Sequence, residues 1–579
     1  MDIALLALKL IGLILICGIG PGLLLVGRLR FSPMEKLCAT VAASLICVYL
    51  VSFALFCLNA GAWAYWTASL VFGLMGVAGW KTARLLIRHH SSRAAIIAFS
   101  VVLGWEALHM AMVRNYSGGD WQGDWREHFE RTAYFCHQLP SSYLFLGHYA
   151  VPARPPMLNL IAAFFCRQLG IRFEVYSLVL LCCNASAFLP CALLLRRMAP
   201  RAGRNIAILA ILFMLNPSIV QNATLTVTKA MAAGLVVLGV SLYLRQKVIA
   251  AGICLAAGVL THYSACPYAL AIGLHYACRV GLGRRSWTEA AAAISTSAAI
   301  LATWFGWSIH VFGLHRTFHS AMTTGMPADS TWAVVQQVMV NMYRSFVPFP
   351  LRLVSLPPSA QRAGLGWLRD EYFLMAQTTL PMMIGLVGGV MAIFLAARLL
   401  FSSTAPWIKS TRTFWLFFLP FCYVLGTAVN FGQQIFGSAQ LTLQPLALMG
   451  ITFLAGWLTG VRRALIGLFL AGLVVDYGLG ILLEFDRESR VYSILIDDSG
   501  RFRYRPDPSL GELGAHEYIE KLRHGLVFWG DHFAAAGPTL EIISAIIAGG
   551  AIWLLARLCL TVRINTPGRT APPLPSLSR

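Results

Sequence analysis

Charge is what this sequence has least of: 12% of its 579 residues are Asp, Glu, Lys or Arg, and acids are the rarer sign, 24 against 45. With 58% hydrophobic residues and a mean hydropathy of +0.68, the chain could not cover its apolar surface as a soluble globule, and the bilayer must serve as part of its solvent. Zinc-like cysteine spacing is absent, and most of the 14 cysteines lie inside apolar runs as small hydrophobes. Cys136 and Cys166 are the exceptions, since both fall on the outer side and a disulfide between them is an option. No basic stripe marks a soluble domain, so the formal charge of +21 does not point to nucleic acid. It reads as loops held on the cytoplasmic side. No short-period repeat is present. The first apolar run, Ile3 to Val26, is followed by further spans and reads as an uncleaved helix.

Apolar runs then set the architecture, an all-α polytopic membrane protein with about fifteen spans. They lie at 3–26, 37–57, 62–80, 94–112, 174–195, 206–221, 227–244, 248–262, 265–280, 288–311, 371–398, 413–430, 437–459, 464–483 and 539–558. The linkers 27–36, 81–93, 196–205, 245–247, 281–287, 399–412 and 460–463 and the tail after 558 are rich in Lys and Arg, with Glu35 their only acid. These face the cytoplasm. Alternation places 113–173, 313–370 and 484–538 outside. Within the first of these, Pro156 to Gly170 is too short for a span and reads as an amphipathic interfacial helix. The expected organisation is a three-span extension (1–93), a core (94–483) with external loops 113–173 and 313–370, an external segment (484–538), and a last span with a Pro-rich, disordered tail (539–579).

The stretch Asn115 to Phe135 carries Asp120, Asp124, Glu127, His128 and Glu130 just beyond a span. Acids at a membrane surface are costly to leave without a task. Asp124 as an N-cap with Glu127 as its capping-box partner is the plain structural alternative, but it leaves Asp120, His128 and the paired glycines unexplained.

The order of a span, this acidic loop, then Arg154-Pro155-Pro156-Met157 leading a hydrophobic helix resembles the C-type glycosyltransferase superfamily, in particular its dolichyl-phosphate-mannose protein mannosyltransferase-like bacterial branch. Leu260-Thr261-His262 is similar to an element that usually reads Leu-Thr-Lys, and Ser438-Ala439-Gln440 through Pro445 to one that often carries Arg-Tyr. Three departures stand out: Asp124 is not followed directly by Glu, His262 stands where Lys is common, and Gln440 where Arg is common. The resemblance implies an enzyme of the bacterial cytoplasmic membrane, facing the periplasm or exterior, that moves a hexosyl or pentosyl group with inversion. Its donor would be a polyprenyl-phosphate sugar, its acceptor an unidentified lipid, glycan or protein hydroxyl of the cell envelope.

The chemistry has its own logic. A departing phosphate needs its charge held more than it needs a proton, whereas the acceptor hydroxyl needs a base. Asp124 is the first choice for that base and Asp120 the second, with Glu127 or His128 orienting it. Candidates for the phosphate are Arg154, Lys229, His262, Arg344 and Arg352. Arg154 and Lys229 could instead snorkel to lipid headgroups, and His262 could be a packed histidine. A metal is not assumed; if a divalent ion is used, Asp120 and Asp124 are the placed oxygen ligands, while His310, His315 and His319 do not share one helical face. A transporter of lipid-linked sugars and a surface-polysaccharide polymerase or ligase are the alternatives, the second kept open by Arg344, Arg352, Arg362 and Arg369.

Overall fold

The computed structural model describes residues 3–114, 116, 123–147, 149–198, 202–320, 330–348, 351, 375–401, 406–428, 437, 439–458, 463–489 and 523–561. Among these, helices account for nearly all regular structure, and the one sheet is a two-residue antiparallel ribbon pairing Leu144–Phe145 (β1) with Tyr149–Ala150 (β2). The described residues of the apolar runs fall mostly on helix. Among the described residues six helices are long and apolar enough to cross a membrane, and nine are if each bent pair is one span, fewer than the fifteen expected. The shortfall has two physical sources. Some runs make short helices: at 1.5 Å per residue, Lys229–Leu244 reaches only about 24 Å against a hydrocarbon layer of about 30 Å. Others are broken, as at 206–221, where the Asn216 side chain accepts from the Ile219 N–H, Pro217 opens a new helix, and the axis turns by 72°.

In chain order the elements that build the site are α1 (Ile3–Gly27), α2 (Pro33–Cys57), α3 (Ala62–Ala78), α4 (Trp80–Arg88), α5 (His90–Met110), α6 (Asp124–His137), α7 (Met157–Leu169), α8 (Phe173–Ala185), α9 (Phe188–Met198), α10 (Ala202–Leu215), α11 (Pro217–Thr224), α12 (Lys229–Leu244) and α13 (Val248–Thr261). One contiguous apolar core runs from Leu6 to Ala551. Large hydrophobics such as Leu8, Leu70, Ile546 and Trp553 stay exposed around it, as expected of a surface meeting lipid.

The sequence places α7 in the outer interface. The helix is buried from Met157 through Cys166 and packs against α2, α3, α6 and α8. Its ends explain how. Pro155 and Pro156 set its entry, and Gly170, at φ +100, turns the chain out in a conformation that favours glycine. Ser52 of α2 donates to the Leu160 carbonyl at 2.7 Å, and Asn159 donates to the His128 carbonyl at 2.7 Å. Helix α6 therefore rests on a fixed support. Cys136 and Cys166 are both free thiols, buried between α6 and α7.

A second support comes from the far end of the chain. Phe528 packs at a tilt on Phe173 at 4.6 Å between ring centres and meets Trp125 at 5.7 Å and Tyr116 at 5.4 Å. Trp529 donates to the Glu174 carbonyl at 3.0 Å, and Gly530 donates to the Val113 carbonyl at 3.2 Å. A Cβ on Gly530 would stand 2.3 Å from that oxygen, so only glycine allows the approach.

Candidate functional site

Asp124 opens α6, but it is not the cap. Gly123 holds that position, and the Asp124 carboxylate turns away from the helix end. Its Oδ1 accepts from Arg154 Nη2 at 2.7 Å, and its Oδ2 lies 3.7 Å from Lys229 Nζ. The same Arg154 nitrogen lies 2.8 Å from Glu127 Oε2, and Glu127 Oε1 accepts from Arg131 Nε at 2.7 Å. Arg131 is pinned in turn by the Val151 and Ala150 carbonyls and lies over the Phe145 ring at 4.3 Å.

Local rules explain each placement. Acids suit the first turn of α6, where free N–H groups carry partial positive charge. Arg154 precedes a proline, which keeps it extended at φ −133 and ψ 144. Lys229 begins α12, where the helix dipole disfavours a cation. It is 1% exposed, so it does not snorkel to the interface, and the Asp124 carboxylate offsets its charge.

His262 ends α13, and its Nδ1 accepts the Ser264 N–H at 3.1 Å, which leaves Nε2 to carry the proton. Lys229, Arg154, His128 and Asp124 all lie in its electrostatic reach. The pKa of His128 is held far down, by burial first and then Arg154. Its Nδ1 lies 3.4 Å from Asn159 Oδ1, and among the described residues its buried Nε2 has no hydrogen-bond partner. For Asp124, burial pushes the carboxyl up, but Arg154, Lys229 and His128 outweigh it and bring the group down to about 2.

Five sequence candidates thus converge: Asp124, Glu127, His128, Arg154 and Lys229, with His262 in electrostatic reach of four of them. Asp120 and Arg352 lie outside the described residues. Arg344 sits near the end of the helix Thr331–Phe346, which packs mainly against Pro406–Ala428. Arg131 and Asn159 escaped the sequence reading. The spacing of Arg131 four residues after Glu127 was the available signal for the first; nothing local marked the second.

Among the described residues no three His, Cys, Asp or Glu side chains converge on a metal position. Asp124 faces two cations, a setting that does not suit a divalent ion. Among the described residues the cluster brings three cations, Arg131, Arg154 and Lys229, together with two carboxylates, Asp124 and Glu127.

No protein-family model matches the chain, and no curated protein does. Two crystal structures of ArnT from Cupriavidus metallidurans, one bound to undecaprenyl phosphate and one in the apo state, are 14% and 13% identical to it. The alignments cover 69% and 67% of this chain and 78% and 76% of those chains, at TM-scores of 0.34 and 0.33. Similarity at that level does not establish a shared fold.

Proposed function

We propose that the protein is a membrane glycosyltransferase that takes a sugar from a polyprenyl-phosphate carrier at the extracytoplasmic surface. The reading rests on one observation: the Arg154 and Lys229 cations converge on Asp124, where the loop after α5 meets the membrane-embedded helices. Such a cluster can hold a phosphate whose lipid tail lies among the helices. The placement within the mannosyltransferase-like branch of the C-type superfamily belongs to the same proposal.

In the resting site Asp124 is a poor base, because its cations hold its pKa at about 2. A bound phosphate offers Arg154 and Lys229 a second anion. As they turn to it, Asp124 loses its compensation while remaining buried, and its proton affinity rises. The acceptor oxygen then attacks the anomeric carbon as its proton passes to Asp124. The bond from that carbon to the phosphate oxygen breaks, and its electron pair leaves with the polyprenyl phosphate, which Arg154, Lys229 and the His262 Nε2–H stabilise. The configuration inverts.

Purified protein in lipid nanodiscs, given labelled sugar on polyprenyl-monophosphate and polyprenyl-diphosphate carriers, tests the reading. Transfer from the monophosphate donor supports it. Turnover of the diphosphate donor alone would replace it with a polymerase, and movement of intact donor across the bilayer without transfer would replace it with a transporter.

A further inference from the structure

Beside α12 lies a small cavity of about 30 Å³ whose wall includes Glu106, Asn184, Ser218, Asn222, Ala230 and Gln444. Glu106 is on α5, a helix that crosses the membrane, and is 0% exposed. Among the described residues neither of its carboxyl oxygens has a hydrogen-bond partner. No lysine or arginine lines the cavity. An ionised carboxylate left there alone would be strongly unfavourable, so its charge must be met from outside the protein.

The other polar groups of the wall limit what can meet it. Asn184 spends its amide N–H on the Val227 carbonyl at 2.9 Å, and its oxygen accepts the Met231 N–H at 3.1 Å. Ser218 donates its hydroxyl to the Ala376 carbonyl at 2.7 Å. Asn222 donates to the Ser218 carbonyl at 2.7 Å and accepts from Gln444 at 2.9 Å. The Ser218 hydroxyl is spent, while Asn184 and Asn222 each keep a second amide N–H beside the oxygen lone pairs of the wall. An occupant that meets an ionised Glu106 must bring positive charge, and the volume allows one or two water-sized particles. A sugar, an amine headgroup or a lipid chain is too large.

We infer that Glu106 and the oxygens around this cavity bind a small monovalent cation, either a sodium-class ion or a proton carried by water. The nearest titratable neighbours are Cys182 on α8, within electrostatic reach of Glu106, and His109 one turn further along α5. His109 is bonded through Nδ1 to the Trp105 carbonyl at 2.7 Å and through Nε2 to the Tyr477 hydroxyl at 2.6 Å. Neither supplies a fixed positive charge to the cavity. The site lies apart from the phosphate cradle, since none of Asp124, Arg154 and Lys229 lines it.

Thermal unfolding of the full-length protein in nanodiscs reads this out, with sodium, potassium or choline chloride at equal ionic strength between pH 6 and pH 9. Glu106→Gln keeps the shape and removes the charge. A saturable rise in midpoint with sodium over choline at pH 8.5, lost in Glu106→Gln, identifies the metal ion. If sodium has no effect, but the parental midpoint in choline falls with rising pH while that of Glu106→Gln does not, the occupant is the proton. Identical responses of parent and Glu106→Gln to sodium and to pH overturn the site. None of these outcomes depends on sugar transfer.

Discussion

Arg154 Nη2 bridges two carboxylates, standing 2.7 Å from Asp124 Oδ1 and 2.8 Å from Glu127 Oε2. One guanidinium therefore braces the start of α6 and, in the proposed reaction, grips the donor. The two roles separate by substitution. Arg154→Ala leaves Glu127, which is 0% exposed, short of a counter-ion and should destabilise the protein by about 3 kcal/mol or more. Arg154→Lys keeps the charge but cannot span both carboxylates with a planar fork. It should fold with a smaller loss while donor affinity drops at least tenfold. Unfolding midpoints and donor titrations of both variants check this.

The cluster should give the protein two acid-sensitive windows. Asp124, at about 2 in the folded state against about 3.9 for a free carboxyl, adds stability that is complete above pH 4 and lost as pH falls toward 2. His128 is depressed, so the unfolded chain takes up its proton first. The stability it confers is full above about pH 6.5, the free imidazole value, and declines below it. Midpoints measured from pH 8 to pH 3 should fall in both windows. His128→Gln should flatten the upper one, and Asp124→Asn the lower.

The sequence exposed the membrane class and the acidic loop because both are carried by local signals, apolar runs and charge in a place where charge is expensive. Asp124, Arg154 and Lys229 could be picked singly by that cost. That they share one site could not be read, because 75 residues separate Lys229 from Arg154 and the pairing depends on how α12 starts against α6. One local reading failed for a tertiary reason. Asp-x-x-Glu looked like a capping box, but Arg154 and Lys229 draw the Asp124 side chain off the helix end. Nor could the run 156–170 show by itself that α2, α6 and α8 pack around it. Nothing in the local pattern joined Phe528 to Trp125, more than 400 residues away.

That last contact is itself testable. Phe528, 2% exposed, fills the space among Tyr116, Trp125 and Phe173, and Phe528→Ala should cost about 3 kcal/mol through the cavity it leaves. Gly530→Ala should act through the backbone, because its Cβ meets the Val113 carbonyl oxygen at 2.3 Å. Both should reduce transfer while donor affinity changes less, since Trp125 holds the first turn of α6 and not the cation at Lys229. Equal loss of binding and turnover in either variant would mean general unfolding.

Lys229→Gln removes a cation that pairs with Asp124 in the resting site and, in the proposed complex, with the phosphate. A charged hydrogen bond of this kind contributes about 1.5–3 kcal/mol, so donor affinity should fall by about tenfold to a hundredfold. The fall should persist at high ionic strength for Lys229, whereas any effect of an exposed lysine such as Lys81 should fade with added salt, because a buried charge is screened less. Unchanged binding would make Lys229 a structural partner of Asp124 alone.

The counter-ion exchange makes its clearest forecast at Asp124. In the resting protein its carboxylate competes with the incoming phosphate for Arg154 and Lys229. Asp124→Asn keeps the size of the side chain, cannot serve as an effective base, and no longer competes for the cations. Transfer should fall by about 10²-fold or more, the scale for losing a general base, while affinity for the polyprenyl-phosphate product, measured without acceptor, should rise. A binding residue with no part in proton transfer would weaken affinity and slow turnover together. A purely structural Asp124 would lower the yield of folded protein and leave the turnover of the folded fraction unchanged. Tighter binding combined with lost turnover is the outcome that only a competing carboxylate acting as base produces. Parental transfer by Asp124→Asn removes it from the chemistry and moves the search for the base to the unpartnered Nε2 of His128.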